Sequence, residues 1–334
     1  MMGKYTKKVR EVLNGIDDIA DVISPGMAVT PPNGHPFELF PPNFTAHWIS
    51  EFEEGQKARG EEEPYVTSIE KAIKHVNQQV AEGADFIKIM IDDGSLHENL
   101  NVPVLSADIM KAAVEEAHKL NKITLAHAMT AKESQLAVDI GIDGLAHVFI
   151  DRPDWTPELV KSIADRKVFV TPCLVLNSSF IGIPGAEFAN DSRVNSKLSP
   201  KWLNTINSCY NVYKKGKLKD SFKNVIDLYN AGVDILVGTD VAVPIPGLGG
   251  LAHGASVHHE LQLLVEAGFK PIEALRAATS VPARIFKLSD RGNIKAGVRA
   301  DLLLVDGDPT INISDTLSIR EVWLRGKKQN LLTK

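Results

Sequence analysis

The stretch GADFIKIMIDDG, residues 83–94, decides the fold and raises the first question about function. Its apolar residues include Phe86, Ile87, Ile89 and Met90. Such a run is typical of a strand that is buried on both faces of a parallel sheet. Lys88 stands inside the run, where burial of an ammonium group is costly. The lysine therefore either reaches water or takes part in a functional site.

From about residue 65 onward, short β-rich runs alternate with helical patterns, which predicts parallel βα units. The predicted strands are residues 85–91, 122–129, 142–150, 167–176 and 233–240. An earlier run, residues 22–35, predicts a sixth strand that ends in a loop rich in proline and glycine. The polar segment 177–216 interrupts this alternation, and we expect an insertion there that serves as a lid over one end of the sheet.

The C-terminal part of the chain follows a different pattern. After Asp240 the sequence predicts two helices, at residues 256–267 and 271–279. Short strands are then predicted at residues 300–306 and 318–326. This tail is expected to form a small β appendage.

The composition is that of an ordinary globular protein, with 334 residues of which 44% are hydrophobic and 24% are charged. A formal net charge of −5 provides no basic surface for nucleic acid. No run approaches the roughly 18 consecutive apolar residues of a membrane helix. We therefore expect a small-molecule substrate as the partner, with no nucleic acid and no membrane.

Redox chemistry and targeting are constrained by the cysteines and the N-terminus. Cys173 and Cys209 are the two cysteines, and they lie far apart, which argues against a disulfide framework or a thiolate zinc site. Residues 1–18 contain no apolar segment of the kind found in secretory signals, so a cytoplasmic location is expected. Any metal here would bind histidine, carboxylate or lysine-derived ligands.

Polar residues recur at the ends of the predicted strands. Lys88, His127 and His147 each lie in an apolar strand context, and Asp240 immediately follows the run ILVGT. In α/β sheets and barrels, ligands and catalytic groups collect at the carboxyl ends of the strands. Taken singly, each residue has a simpler explanation, namely a hydrogen-bonded core histidine, a turn aspartate or a lysine that extends to water. Because four strands show the same placement, we favour a shared site.

These residue types suit a catalytic metal. Zinc binds imidazole nitrogen and carboxylate oxygen, and a catalytic site keeps one position open for water. The amine of Lys88 can become a ligand if it reacts with carbon dioxide to form a carbamate, and burial favours the neutral amine that this reaction needs. Asp240 is then expected both to bind the metal and to act as a base toward water.

With these motifs in view, the chain resembles the amidohydrolase superfamily of metal-dependent (β/α)8-barrel hydrolases, in the branch related to imidazolonepropionase and prolidase-like enzymes. The matching stretches include GADFIKIM, ITLAHAM, ILVGTD, the segment from HGASVHHE to ARIF, and GNIKAGVRADLLLVDGD. The resemblance implies a carboxylated Lys88, metal binding by His127 and His147, and catalysis by Asp240. It also implies that His35, in the loop PPNGHP, lies near the substrate.

One feature of the superfamily is missing from this sequence. Members carry an HxH pair on the first barrel strand, and none of the 10 histidines here has that spacing. We therefore expect an α/β fold of the (β/α)8 TIM-barrel type that lacks the first two βα units. The expected domains are a barrel at residues 1–298 and the β appendage at residues 299–334. Six strands cannot close the usual barrel, so a homo-oligomer or another partner is expected to cover the open sheet edges.

Three further residues are weaker candidates for substrate binding. The resemblance places His253 and His258 near the rim of the pocket. Arg152 could clamp a substrate carboxylate, although an ion pair or a turn explains it as well. His259 and Glu260 follow His258 in the stretch HHE, and for these residues and His253 the simpler alternative is a solvated helix face with one packed histidine.

The leading hypothesis is a hydrolase that cleaves an amide or cyclic amide C–N bond of a small molecule. It would use Zn²⁺, as one or two ions, with Mn²⁺ or another divalent ion as an alternative. A non-catalytic or repurposed homologue is the rival hypothesis, because the HxH pair is absent. A lyase reaction such as decarboxylation at the same centre is the third, since fold does not fix function.

Overall fold

The computed structural model describes residues 6–14, 16, 18–36, 65–96, 101–241 and 249–330. The chain divides into two compact units. The first unit comprises Met1–Leu13, Asp21–Ala128 and Lys132–Gly144, and the second comprises Asn14–Ala20, Met129–Ala131 and Leu145–Lys334. The domain boundary predicted between residues 298 and 299 stays a prediction.

The sheet of the first unit is built on two parallel strands, β1 (Ile87–Met90) and β2 (Thr124–His127). Their register pairs Met90 with His127, so both strands end at the same level. On its other side β1 forms a single parallel bridge between Ile89 and Val29. The strand predicted over residues 22–35 is therefore reduced to this one bridge, while the buried strand around Lys88 is confirmed.

Helices cover the strands of the first unit. Their bounds are Thr6–Asn14, Ile69–Ala81, Ala107–Lys119 and Ala131–Asp139, the first and the last of which cross a unit boundary by one residue. Ile69–Ala81 and Ala107–Lys119 pack against each other. Met110, Ala113 and Ala117 are buried on the second of these two helices, at the spacing of one helix face.

The second unit contains the neighbouring strands β3 (Gly144–Ala146) and β4 (Phe169–Thr171), with Gly144 as the last residue of the first unit. Val170 of β4 forms a parallel bridge with Ile235. The predicted strand at residues 233–240 is thus limited to that bridge. Asp240 is the last residue of this predicted segment.

The strand predicted over residues 167–176 is wrong in its last part, where a helix begins. Cys173 adopts a left-handed backbone with φ 53°, and the helix Leu174–Phe180 follows it. The carboxyl oxygens of Glu260 accept the N–H groups of Leu174 and Val175, both at 2.9 Å. This cap satisfies donors that a helix start leaves open and stabilises helix over strand.

The remaining helices of the second unit are Thr156–Asp165, Ala186–Asn190, Ser192–Asn195, Pro200–Ile206, Leu218–Asn230, Ser256–Glu266, Pro271–Ala277 and Ser280–Ile285, with a 3-10 turn at Ile313–Leu317. The two helices predicted after Asp240 are confirmed to within two residues. Among the described residues, no helix combines the length and the apolar character needed to cross a membrane.

The insertion at residues 177–216 is a helical segment with its own apolar core. Phe188, Val194 and Ile206 are buried together with Leu317, which lies more than one hundred positions further along the chain. Burial of such side chains stabilises the fold by about 1.5–3 kcal/mol each. The predicted interruption of the βα rhythm is confirmed, and the role of this segment as a lid stays a prediction.

The C-terminal tail contains a three-stranded antiparallel sheet, which includes the two strands that the sequence predicts. Its strands are β5 (Leu302–Val305), β6 (Ile319–Leu324) and β7 (Lys327–Lys328), in the order β5-β6-β7. Leu302 pairs with Trp323 and Leu303 with Val322. Strand β5 therefore lies at an edge of this sheet.

Ile89→Ala tests the packing of β1. Ile89 is fully buried between the bridge to Val29 and β2, so we expect the substitution to lower the free energy of unfolding by about 2–5 kcal/mol. The matched control is Ile69→Ala, since Ile69 is 48% exposed, and its effect should stay within about 0.5 kcal/mol. Urea denaturation measures both, and equal losses in the two variants would contradict this description of the core.

Candidate metal centre

In the first unit, Lys88 and His127 lie on the paired strands β1 and β2. Lys88 is half-buried and lies opposite Leu125, whereas His127 ends β2 and is buried. The main-chain oxygen of His127 accepts the N–H of Ile91 at 3.0 Å, which fixes the strand end. Because Lys88 is partly exposed, its ammonium group keeps some contact with water, and the free-energy cost of burying the charge is lower. This explains in part how a lysine can stand inside an apolar strand.

Two imidazoles and one carboxylate meet at the end of these strands. Oδ2 of Asp92 lies 3.4 Å from Nδ1 of His35 and 3.3 Å from Nε2 of His127. The imidazole rings of His35 and His127 are stacked, with centroids 4.1 Å apart. Each residue offers one ligand atom within 4.8 Å of the others, so this set could hold a metal ion. We call His35, Asp92 and His127 the HDH cluster.

The electrostatic environment favours a neutral His127. Burial first, and then the charges of His35 and Lys88, hold the pKa of His127 well below its usual range. A neutral imidazole keeps a nitrogen lone pair available for a metal. The donor set of the HDH cluster, imidazole nitrogen and carboxylate oxygen, is one that Zn²⁺ accepts.

A second group of acidic side chains borders the HDH cluster. Asp92, Asp93 and Glu133 also bring ligand atoms within 4.8 Å of one another. Oε1 of Glu133 accepts the N–H of Asp93 at 3.1 Å, and Oδ1 of Asp93 accepts the N–H of Ser95 at 2.9 Å. These contacts show that Asp93 and Glu133 already order the loop after β1.

In the second unit, His147 and Asp240 approach each other. Nε2 of His147 lies 3.9 Å from Oδ2 of Asp240. His147 is buried, whereas the side chain of Asp240 is 42% exposed. Both residues have a left-handed backbone, with φ 84° and 51°. Such conformations are unfavourable for residues other than glycine and concentrate at functional sites.

Tyr210 is an additional residue near Asp240 that the sequence did not single out. Burial, and then the negative charge of Asp240, raises the pKa of the Tyr210 phenol. Its main-chain N–H donates to Oγ of Ser179 at 3.0 Å. Tyr210 belongs to the insertion at residues 177–216, and no motif in that polar segment distinguishes it.

Arg152 is engaged in an ion pair, the simpler of its two predicted roles. Its guanidinium contacts Oδ2 of Asp227 at 2.7 Å and also donates to Asn224. The Asn224 amide in turn donates to the main-chain oxygens of Phe149 and Asp151, at 2.8 and 3.0 Å. A role for Arg152 in substrate binding stays a prediction.

His253 and His258 line a cavity of about 260 Å³ within the second unit, together with Arg193, Lys197, Leu317 and Ile319. His253 is exposed, and its ring lies edge-on to Trp202. Nδ1 of His258 lies 3.0 Å from the hydroxyl of Thr316. Burial, and then the charge of Lys197, lowers the pKa of His258 to about 4. Their contacts with substrate stay predictions.

The neighbours of His258 in the HHE sequence have structural contacts. His259 stacks on Phe188 with centroids 4.9 Å apart, and burial lowers its pKa to about 4. Glu260 is fully buried and caps the helix that begins at Leu174. Burial raises the pKa of Glu260 to about 8, against the lowering effect of its two backbone hydrogen bonds. The packed His259 agrees with the predicted alternative of a solvated face with one packed histidine, whereas the buried Glu260 does not lie on a solvated face.

Asp92 is the main site residue that the sequence analysis missed. It lies in the stretch IDDG, two positions after the end of β1. A carboxylate directly after a buried strand was a usable signal, because strand ends collect functional groups. Aspartate is also common in turns, which made that signal weak.

Comparison with known proteins places the sequence in a family. The model described as "Amidohydrolase family" matches residues 41–328. Ochratoxinase from Aspergillus niger is 27% identical over 269 residues, which represent 78% of this chain and 49% of the relative. This chain thus spans about half the length of that relative.

Solved structures give the same result at the level of the fold. A Xaa-Pro dipeptidase with bound methionine in the active site aligns with a TM-score of 0.69 and 20% identity, over 98% of this chain and 73% of the other. Phenylurea hydrolase B aligns with a TM-score of 0.67 and 22% identity, over 97% and 71%. These likenesses confirm the barrel-type α/β fold predicted from the sequence. The absence of the first two βα units stays a prediction.

Glu260→Gln tests the buried carboxyl through the pH dependence of stability. Glu260 keeps its proton up to about pH 8 when folded, whereas its ordinary pKa is 4.5. The raised pKa of Glu260 therefore adds to the free energy of unfolding in full below pH 4.5, and this addition is lost as the pH rises toward 8. Urea denaturation at several pH values should show that Glu260→Gln removes this fall in stability. The control is Glu266→Gln, which changes an exposed side chain on the same helix and should leave the pH dependence of the free energy of unfolding as in the wild type. The same pH dependence in the wild type and both variants would contradict the raised pKa of Glu260.

Proposed function

Because the chain belongs to the amidohydrolase family, we propose that it is a metal-dependent hydrolase that cleaves an amide or cyclic amide C–N bond of a small molecule. The observation that carries the proposal is the meeting of two imidazoles and a carboxylate at the ends of β1 and β2. The names of the relatives, a dipeptidase and a phenylurea hydrolase among them, support the same reaction class.

The proposed metal ligands are those that the sequence resemblance assigns, namely Lys88, His127, His147 and Asp240. We propose Zn²⁺, as one or two ions, with Mn²⁺ or another divalent ion as the alternative. Lys88 would contribute as a carbamate, formed when its amine bonds to carbon dioxide and releases a proton. The half-buried position of Lys88 supports this step, because it leaves the amine accessible to carbon dioxide.

The chemistry that a bound divalent cation supplies is a lowered pKa of water, to about 7, and polarisation of the substrate carbonyl. Asp240 takes a proton from the water and returns it to the leaving nitrogen. The 42% exposure of its side chain and its approach to His147 support this role. His35, Arg152, His253 and His258 are the proposed substrate contacts that follow from the sequence.

A second candidate function is a repurposed homologue, either a non-catalytic subunit or scaffold or a lyase. It is favoured by one observation, the absence of an HxH pair among the 10 histidines. Chelator sensitivity of turnover separates the candidates, because a scaffold has no turnover to lose. A lyase would release carbon dioxide or another fragment without addition of water.

We also propose a cytoplasmic location and a homo-oligomer. Strand β5 supports the oligomer, because Leu302, Leu303 and Leu304 are 37%, 49% and 42% exposed at a sheet edge. Exposed apolar edge strands tend to pair with another chain. Sedimentation velocity of the purified chain should detect an oligomer, and a monomer at every concentration would contradict this proposal.

Hydrolysis is tested with purified chain on a panel of N-acyl amino acids, dipeptides and lactams. We expect turnover that a chelator abolishes and that Zn²⁺ or Mn²⁺ restores. Lys88→Ala and His147→Ala should lower the metal content, and Asp240→Asn should reduce kcat by about 10²–10⁴-fold because it removes proton transfer.

The control for these variants is Lys71→Ala, which changes an exposed lysine on the helix Ile69–Ala81 and should leave turnover unchanged. The proposed centre would be refuted if Lys88→Ala and His147→Ala both kept the full metal content. Absence of turnover across the panel, with metal bound, would favour the repurposed homologue.

A further inference from the structure

We propose that the HDH cluster is itself a divalent-metal site of this chain, with Asp92 and His35 as ligands beside His127. This assigns a metal-binding role to Asp92 and moves His35 from the substrate to the metal. The inference rests on the proposed function, because it names further ligands of the same metal-dependent centre. It depends only on residues of the first unit.

The spacing of the donor atoms fits a tetrahedral ion. Bonds of about 2.0–2.2 Å from zinc to nitrogen and oxygen place tetrahedral ligand atoms about 3.3–3.6 Å apart. The two separations from Oδ2 of Asp92 are 3.4 Å to His35 and 3.3 Å to His127. Both therefore match the edge of such a tetrahedron.

The same unit offers an internal comparison for these distances. Nε2 of His118 lies 2.8 Å from Oδ2 of Asp143, the length of an ordinary hydrogen bond between histidine and aspartate. Both separations in the HDH cluster are longer, although its three residues are more deeply buried. Both separations are therefore longer than a direct hydrogen bond and match the edge length expected between two ligands of one ion.

Backbone contacts orient the donors of the HDH cluster. Oδ1 of Asp92 accepts the N–H of Gly94 at 2.8 Å, which leaves Oδ2 directed at the imidazoles. The positive φ of Gly94, 77°, permits the tight turn that makes this contact. Oγ1 of Thr30 donates to the main-chain oxygen of His35 at 2.9 Å and so holds the histidine loop in place. Fixed ligands of this kind are what a metal site requires.

Charge balance points in the same direction. Asp92 is 6% exposed, and a buried carboxylate needs a compensating positive charge. Candidates for that charge are a protonated imidazole of the cluster, the Lys88 ammonium and a divalent cation. If Lys88 forms the proposed carbamate, its positive charge is lost, and the carbamate together with the buried carboxylate favours a divalent cation.

The test measures metal affinity rather than activity. Purified full-length chain is freed of metal with a chelator and titrated with Co²⁺, and visible absorption reports the coordination. Zinc content after gel filtration gives the stoichiometry. Asp92→Asn keeps the size of the side chain but weakens the donor, so we expect the Kd for Co²⁺ to rise about 100-fold or more. His35→Asn should weaken binding in the same way.

The matched control is Asp93→Asn, which neutralises the neighbouring carboxylate outside the HDH cluster and should leave Kd within about 3-fold of wild type. Far-UV circular dichroism confirms that each variant is folded, and His35→Asn carries the test if Asp92→Asn does not fold. An affinity of Asp92→Asn and His35→Asn equal to that of Asp93→Asn would overturn the proposal. Absence of Co²⁺ and Zn²⁺ binding by the wild type would overturn it as well.

The outcomes also separate this inference from the proposed hydrolase. Metal binding that depends on Asp92, without turnover on the amide panel, supports the HDH cluster and contradicts hydrolysis. Chelator-sensitive turnover with unchanged metal affinity in Asp92→Asn supports hydrolysis and refutes the cluster. If Lys88 is instead the counter-charge of Asp92, the substitution leaves metal affinity unchanged.

Discussion

A carboxylate that is buried next to two imidazoles must be neutralised, and this constraint governs the arrangement at the end of β1. The parallel register of β1 and β2 brings Met90 level with His127, so the residues that follow β1 meet the side chain that ends β2. Gly94 then holds the carboxylate of Asp92 toward both imidazoles. The apolar strand supplies rigidity, and the polar chemistry is confined to its carboxyl end, where backbone ladders stop and loops begin. Lys88 lies within β1, two residues before the strand ends, and is half-buried.

The second unit contains two neighbouring side chains whose backbones are strained. His147 and Asp240 both follow short β segments, both adopt left-handed conformations, and their side chains approach to 3.9 Å. The unfavourable backbone is held by packing and by hydrogen bonds such as that from the N–H of His147 to the oxygen of Thr171, at 2.8 Å. The amidohydrolase family, to which this chain belongs, generally binds divalent metal.

Local sequence patterns predicted the strands and the polar residues at their ends, because alternation of apolar runs and helical periodicity is a short-range property. Contacts between distant residues were beyond that analysis. The helix that begins at Leu174 is capped by Glu260, 86 positions away, and without that contact the run VTPCLVL is typical of a strand. The apolar core of the insertion likewise combines Phe188 and Ile206 with Leu317. Asp92 was missed for a different reason, since nothing local shows that two imidazoles approach it. Of the predicted ligands, His127 lies in a cluster with His35, which the sequence had assigned to the substrate.

A crystal structure of the zinc-loaded chain, with anomalous data collected at the zinc edge, tests the central claim most directly. The claim predicts an anomalous peak within about 2.2 Å of Oδ2 of Asp92 and of one ring nitrogen each of His35 and His127. A zinc peak bound elsewhere, with the carboxylate of Asp92 outside bonding distance, would contradict it.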